Sequence, residues 1–166
     1  PEGYDHKYTY AHAGYNLKIT DMQAAVGCAQ FARLAGFIAA RKSNFQRLHK
    51  ALKPLEDVLI LPEAAPGSDP SWFGFPATVR EDAGFTREQL LHALNRDKIS
   101  TRLLFAGNLT RQPYMEGRAF RVHGSLEKAD LMMRSTFWLG VYPGLTPAMI
   151  DYVASRVSAF VRGSRA

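Results

Sequence analysis

The chain has 166 residues, 46% of them apolar, which suits one ordinary core, or a core plus an extended arm, and excludes a large multidomain architecture. Its net charge of +6 is scattered: Arg33, Arg41, Lys42, Arg47 and Lys50 lie along one helical stretch and Arg156, Arg162 and Arg165 near the end, without a nucleic-acid fold signature, so the charge reads as solvated surface with some capacity for an anionic ligand. One cysteine cannot build a disulfide or a cluster, no apolar run nears the roughly 18 residues of a spanning helix, and Pro1-Glu2-Gly3-Tyr4-Asp5-His6-Lys7 lacks signal-peptide order; a cytoplasmic protein with neither nucleic acid nor membrane as partner is expected.

Residues 1–19 are rich in Tyr, His and Gly without a sustained period and read as an extended arm or loop. Thr20 and Gln23 then have the spacing of a capping box. Gly14 frees the backbone just before that helix start, so Tyr15, Asn16 and Lys18 can be presented from a fixed edge suited to anion recognition. Helix formers dominate from Asp21 to about Leu52, with Leu34, Ile38, Phe45, Leu48 and Leu52 at helical spacing and Gly36 as a possible break. Cys28 lies among small and apolar residues and is expected in the core. Pro54 ends the stretch.

Val58-Leu59-Ile60-Leu61 reads as a short buried strand and Trp72 to Val79 as a second, with Gly74 and Pro76 suggesting a bulge or an edge. A second capping box, Thr86 with Gln89, opens a helix whose stripe is Leu90, Leu91 and Leu94; Ile99 to Phe105 returns as a strand. Leu126 to Ser135 reads as a helix and Thr136 to Val141 as a strand. Thr146 and Pro147 form an N-cap and first helical position, and Met149, Ile150, Val153, Val157, Phe160 and Val161 form the apolar face of the last helix. The alternation predicts an α+β domain over residues 20–166, a small sheet with helices packed on one face.

His6, His12, His49, His92 and His123 show no metal-ligand spacing, and no serine or cysteine nucleophile sits in an elbow, so neither a zinc nor a hydrolase site is expected. Arg102 and Arg111 flank a strand end and the Gly107-Asn108 turn. They form either a rim for a phosphorylated sugar or surface ion pairs around a turn that Asn108 stabilises. Phe73 is a strand residue that any core would accept, and Lys18 is an anion contact or a plain surface lysine.

Three segments carry a family resemblance: Gly14-Tyr15-Asn16-Leu17-Lys18 with its capped helix, Trp72-Phe73-Gly74-Phe75-Pro76, and Thr101-Arg102-Leu103-Leu104-Phe105-Ala106-Gly107-Asn108-Leu109-Thr110-Arg111-Gln112-Pro113. Together they resemble the DegT-type sugar aminotransferases, and more narrowly their dehydratase branch, which removes the C3 hydroxyl of nucleotide-linked 4-keto-6-deoxyhexoses in lipopolysaccharide synthesis; the implied substrate is a CDP-4-keto-6-deoxyhexose. The resemblance implies the C-terminal small domain of a pyridoxal-phosphate-dependent, aspartate-aminotransferase-type enzyme whose cofactor domain would precede Pro1. It implies that Asn16 reaches the cofactor phosphate of a homodimer partner and that Lys18, Phe73, Arg102, Asn108 and Arg111 face the sugar nucleotide. Phe73 falls where many of the aminotransferases carry His, which favours the dehydratase branch.

The implied cofactors are pyridoxamine or pyridoxal phosphate and a 2Fe-2S cluster, and the implied electron donor is an iron–sulfur flavin reductase. The catalytic His and the cluster cysteines of that branch match no residue here, so the chain alone is expected to be inactive. The competing readings are the small domain of a nucleotide-sugar aminotransferase and a non-catalytic assembly module.

Overall fold

The computed structural model describes residues 18–164, so Asn16 and the rest of the expected 1–19 arm up to Leu17 lie outside the described residues. Its contacts divide the chain into two units, Pro1–Ala35 and Gly36–Ala166. The boundary expected at 19/20 falls inside the first unit.

In the first unit, α1 (Asp21–Phe31) starts where the capping box places it. Thr20 N donates to Gln23 Oε1 at 2.9 Å, and Gln23 N donates to Thr20 Oγ1 at 3.3 Å, which satisfies two amides at the start of the helix. None of its residues is buried: Met22, Val26 and Phe31, and Ile19 just before it, are exposed. Cys28, expected in the core, is exposed too. Its apolar neighbours share the surface with it, so local composition gave the wrong environment.

α2 (Leu34–Leu52) carries the long amphipathic pattern into the second unit. The interruption comes at Ala32 and Arg33, and Gly36 lies inside α2. Phe45, Leu48 and Leu52 form its buried stripe, and Pro54 sits in a short 3-10 turn (Lys53–Leu55) that ends the helix. Then come β1 (Leu59–Ile60), β2 (Gly74–Val79), α3 (Arg87–Arg96), β3 (Arg102–Leu103), α4 (Glu127–Ser135), β4 (Thr136–Gly140) and α5 (Pro147–Gly163). The strand expected over Ile99–Phe105 shortens to Arg102–Leu103, because it is an edge strand with one neighbour and the chain turns sharply at Phe105.

The sheet order is β1-β2-β4-β3, with every neighbouring pair antiparallel. β2 and β3, joined by α3, therefore run parallel to each other with β4 inserted between them. This is a split β-α-β arrangement. In β2–β4 the register sets Phe75 opposite Leu139 and Ala77 opposite Phe137. These residues are buried in one core with Leu48 and Leu52 of α2, Leu90 and Leu94 of α3, and Ile150, Val157 and Val161 of α5. Helices thus cover one face of a small sheet, as expected. Pro76 fits inside β2 because β1 pairs only with Thr78 and Val79, so at Pro76 the strand has a neighbour on the β4 side alone and its missing N–H breaks no ladder.

Ion pairs join the helices at the rim of this core. Arg47 of α2 binds Asp151 of α5 through two contacts of 2.6 Å, and Arg156 of α5 meets Asp97, the C-cap of α3, at 2.6 Å. The segment after β3 is fastened to α4 in two ways. Gly107, at φ +63, lies so close to α4 that a Cβ there would stand 2.6 Å from Met133 Cβ. Asp130 accepts from Arg111 through both carboxylate oxygens at 2.6 Å and from Asn108 Nδ2 at 2.7 Å. Arg111 first, then Asn108, hold the Asp130 carboxyl well below the usual carboxylate range.

Two stability outcomes follow. Gly107→Ala meets both an unfavourable backbone and Met133, and is expected to cost about 2–4 kcal/mol in chemical denaturation. Gly67→Ala, at φ +77 with nothing within 4 Å, is expected to cost only the conformational part, about 1 kcal/mol. Because Asp130 is depressed in the folded state, its stabilisation is complete above the ordinary carboxylate pKa of about 4 and fades as pH falls below it. The gap in urea midpoint between the unsubstituted protein and Asp130→Asn is therefore expected to be widest near neutral pH and to close on acidification.

Candidate functional site

The face of the sheet away from the helical core is where the chain gathers exposed rings and an unpaired cation. Strand alternation dictates this: with Phe137 and Leu139 pointing into the core, Trp138 between them must point to the other face, opposite Pro76 of β2 and Arg102 of β3. Trp138 lies over Gly74, where a Cβ would approach its ring to 3.1 Å. Phe73, just before β2, leaves the alternation and sets its ring 5.1 Å from that of Trp138, and Phe105 sets its ring edge-on at 4.9 Å from the other direction. The result is a groove of about 710 Å³ lined by these three rings with Arg41, Arg102 and Tyr142.

Neighbouring groups fix the walls. Arg41 Nη1 donates to the carbonyl oxygens of Trp72 at 3.3 Å and Phe73 at 3.2 Å, which orients the backbone that carries the Phe73 ring. Buried Asn44 donates to the carbonyls of Tyr142 at 3.0 Å and Leu145 at 3.4 Å. Gly144 leaves room for the Tyr142 ring, which a Cβ there would meet at 2.8 Å. The Arg102 side chain is exposed and has no hydrogen bond or ion pair among the described residues. Trp138 Nε1–H is buried without an acceptor among them. Aromatic surface beside a free guanidinium can stack a planar group and hold an anion.

Of the residues singled out from sequence, the structure brings Phe73 and Arg102 into this one groove. Asn108 and Arg111 are elsewhere, in the segment after β3 that is held against α4. Asn108 is 3% exposed, and its side chain is occupied: Oδ1 accepts from Thr110 N at 3.0 Å and Thr110 Oγ1 at 2.7 Å while Nδ2 donates to Asp130. Arg111 is spent on Asp130. Their geometry is that of a stapled turn. Lys18 belongs to the first unit, where it is exposed and without a partner among the described residues; Asn16 lies outside them. Among the described residues no cluster of His, Cys, Asp or Glu is placed to hold a metal, and no helix is long and apolar enough to cross a membrane.

Sequence reading missed Trp138, Phe105 and the glycine pair Gly74 and Gly140. A signal for Trp138 was present: three consecutive large apolar residues in a strand with one covered face force the middle one onto the open face. Phe105 carried no such signal, since its exposure depends on a left-handed backbone turn, φ +47, that a bulky residue rarely adopts.

Residues 2–158 match the DegT/DnrJ/EryC1/StrS aminotransferase family. The chain is 55% identical over 160 residues to lipopolysaccharide biosynthesis protein RfbH of Salmonella typhimurium, a match covering 96% of this chain and 37% of that protein. It is 50% identical over 164 residues to dTDP-4-dehydro-2,6-dideoxy-D-glucose 3-dehydratase of Saccharopolyspora spinosa, covering 99% of this chain and 35% of that one. Among solved structures, the E. coli GDP-4-keto-6-deoxy-D-mannose-3-dehydratase with bound hydrated PLP superposes with a TM-score of 0.80 at 25% identity, over 91% of this chain and 38% of that one. The chain thus spans little more than a third of the length of these relatives, and its split β-α-β fold is that of a PLP-dependent aminotransferase-type small domain. This chain belongs to the DegT/DnrJ/EryC1/StrS aminotransferase family.

Proposed function

We propose that this chain is the small domain of a longer enzyme that removes the C3 hydroxyl of a nucleotide-linked 4-keto-6-deoxyhexose during lipopolysaccharide deoxysugar synthesis. The observation that carries the reading is identity of half or more, over nearly the whole chain, to a protein named as a 3-dehydratase and to a lipopolysaccharide biosynthesis protein. The groove adds support, because it offers Phe73 and Arg102 on one surface to a ligand both planar and anionic.

When bound, pyridoxamine phosphate supplies an electron sink for loss of the hydroxyl. The residues of this chain serve to bind and orient. Asn16 donates to the cofactor phosphate of a dimer partner without needing charge compensation of its own. Lys18 sits two residues on, just before the capped start of α1, as a point charge for phosphate. Arg102 holds the substrate diphosphate and Phe73 packs against the sugar nucleotide. An aromatic ring at 73 cannot move a proton, so acid–base work falls to residues of the longer protein, as do the 2Fe-2S ligands. An iron–sulfur flavin reductase delivers the electrons, in the cytoplasm.

The full-length protein, supplied with pyridoxamine phosphate, a reductase and a nucleotide-linked 4-keto-6-deoxyhexose, is expected to give a product lacking the C3 oxygen by mass spectrometry. Asn16→Ala in that protein is expected to weaken cofactor affinity about tenfold. Formation of an amino sugar from glutamate in place of the deoxygenated product would contradict the reading and make the enzyme an aminotransferase.

A further inference from the structure

Asn44 is a buried polar side chain, 7% exposed, and it does not line the groove. Its neighbours on α2, Phe45 and Leu48, are core residues, so an apolar side chain in its place would spare the desolvation of an amide. The amide instead directs both Nδ2 protons at one tight turn, which Leu145 N closes on Tyr142 O at 3.1 Å: one goes to Tyr142 O at 3.0 Å and one to Leu145 O at 3.4 Å. One helical turn earlier Arg41 makes the matching pair of bonds to the carbonyls of Trp72 and Phe73, and the Trp72 ring lies flat on Phe45, centroids 4.5 Å apart at 3°. A single turn of α2 thus grips the backbone behind Phe73 and the backbone behind Tyr142.

Tyr142 is 53% exposed, so burial does not fix its ring; its own backbone does, together with Gly144, where a Cβ would meet the ring at 2.8 Å. The ring also borders a second hollow of about 540 Å³ that reaches Met149 and Tyr152 of α5. A shift of the Tyr142 backbone therefore removes a wall of the groove. We infer that Asn44 is a positioning residue for substrate binding: without touching the ligand, it holds the Tyr142 ring at the separation from Phe73 that α2 sets. The inference rests on the reading of the groove as a sugar-nucleotide surface, and it adds to that surface a residue buried behind it.

In the full-length enzyme turning over its nucleotide-linked 4-keto-6-deoxyhexose, Asn44→Ala is expected to raise KM about fivefold with kcat within about twofold. Tyr142→Ala is expected to raise KM as much, and the double variant no further, because Asn44 acts through Tyr142; the effects of Asn44→Ala and Arg102→Ala are expected to multiply. Gly144→Ala reaches the same ring by another route, since its Cβ meets the Tyr142 side chain and leaves the Asn44 hydrogen bonds in place. The same rise in KM is expected from it, so a failure of Asn44→Ala to fold leaves the inference open to refutation. Where Tyr142→Ala and Arg102→Ala do raise KM, the inference is overturned if Gly144→Ala, or a folded Asn44→Ala of lowered melting temperature, keeps KM within about twofold, or if the Asn44 and Tyr142 effects multiply; the amide then serves only the stability of the turn, and the functional reading stands. If neither Tyr142→Ala nor Arg102→Ala raises KM, or the unsubstituted enzyme gives no deoxygenated product, the reading of the groove fails and the inference with it.

Discussion

The pairing of β2 with β4 in a single register is the constraint on which the rest of the second unit depends. Setting Phe75 against Leu139 and Ala77 against Phe137 sends those side chains to the helices and, by the same alternation, sends Trp138 and the Gly74–Gly140 pair to the opposite face. A slip of one residue would put Trp138 into the core and expose Phe137. Core and groove are thus two consequences of one ladder. The hydroxyl pair Thr78–Thr136, 2.7 Å apart near the other end of the same ladder, and the brevity of β1, which tolerates Pro76, belong to the same arrangement.

The helices fix what the ladder leaves free. α2 contributes Leu48 and Leu52 to the core and, from other turns of the same helix, sends Arg41 to the carbonyls beside Phe73 and Asn44 to the turn that bears Tyr142. Burial of one stripe of α2 therefore sets the position of two groove walls. The segment after β3 is held by α4 through Gly107, Asn108 and Arg111, so that Phe105 hangs from an anchored loop despite its backbone strain. The Asn108 and Arg111 side chains thus take part in fastening this loop to α4.

What could be read from sequence was what depends on residues a few positions apart. The capping boxes at Thr20–Gln23 and Thr86–Gln89, the Thr146-Pro147 helix start and the stripe of α5 are local patterns, and the structure has each of them, except that Met149 of the expected stripe is exposed. Strand β3 was overextended because an edge strand's length depends on its neighbour and on the turn at Phe105. Cys28 was misplaced because burial is not set by local composition. Asn108 could face a ligand or staple its own loop, and the partner its side chain has in this structure, Asp130, is far along the chain. The family was legible from short segments; the groove was only half legible, since Phe73 and Arg102 were in view while Trp138, Phe105 and Gly140 emerge from strand pairing and backbone turn.

A crystal structure of the full-length protein with its nucleotide-linked sugar tests the central claim most directly, namely that the open face of this sheet is a substrate surface created by the β2–β4 register. The account predicts density for the sugar nucleotide in this groove, against Phe73, with a phosphate oxygen at Arg102. Finding the groove filled by protein side chains, with the sugar nucleotide bound elsewhere, would contradict it.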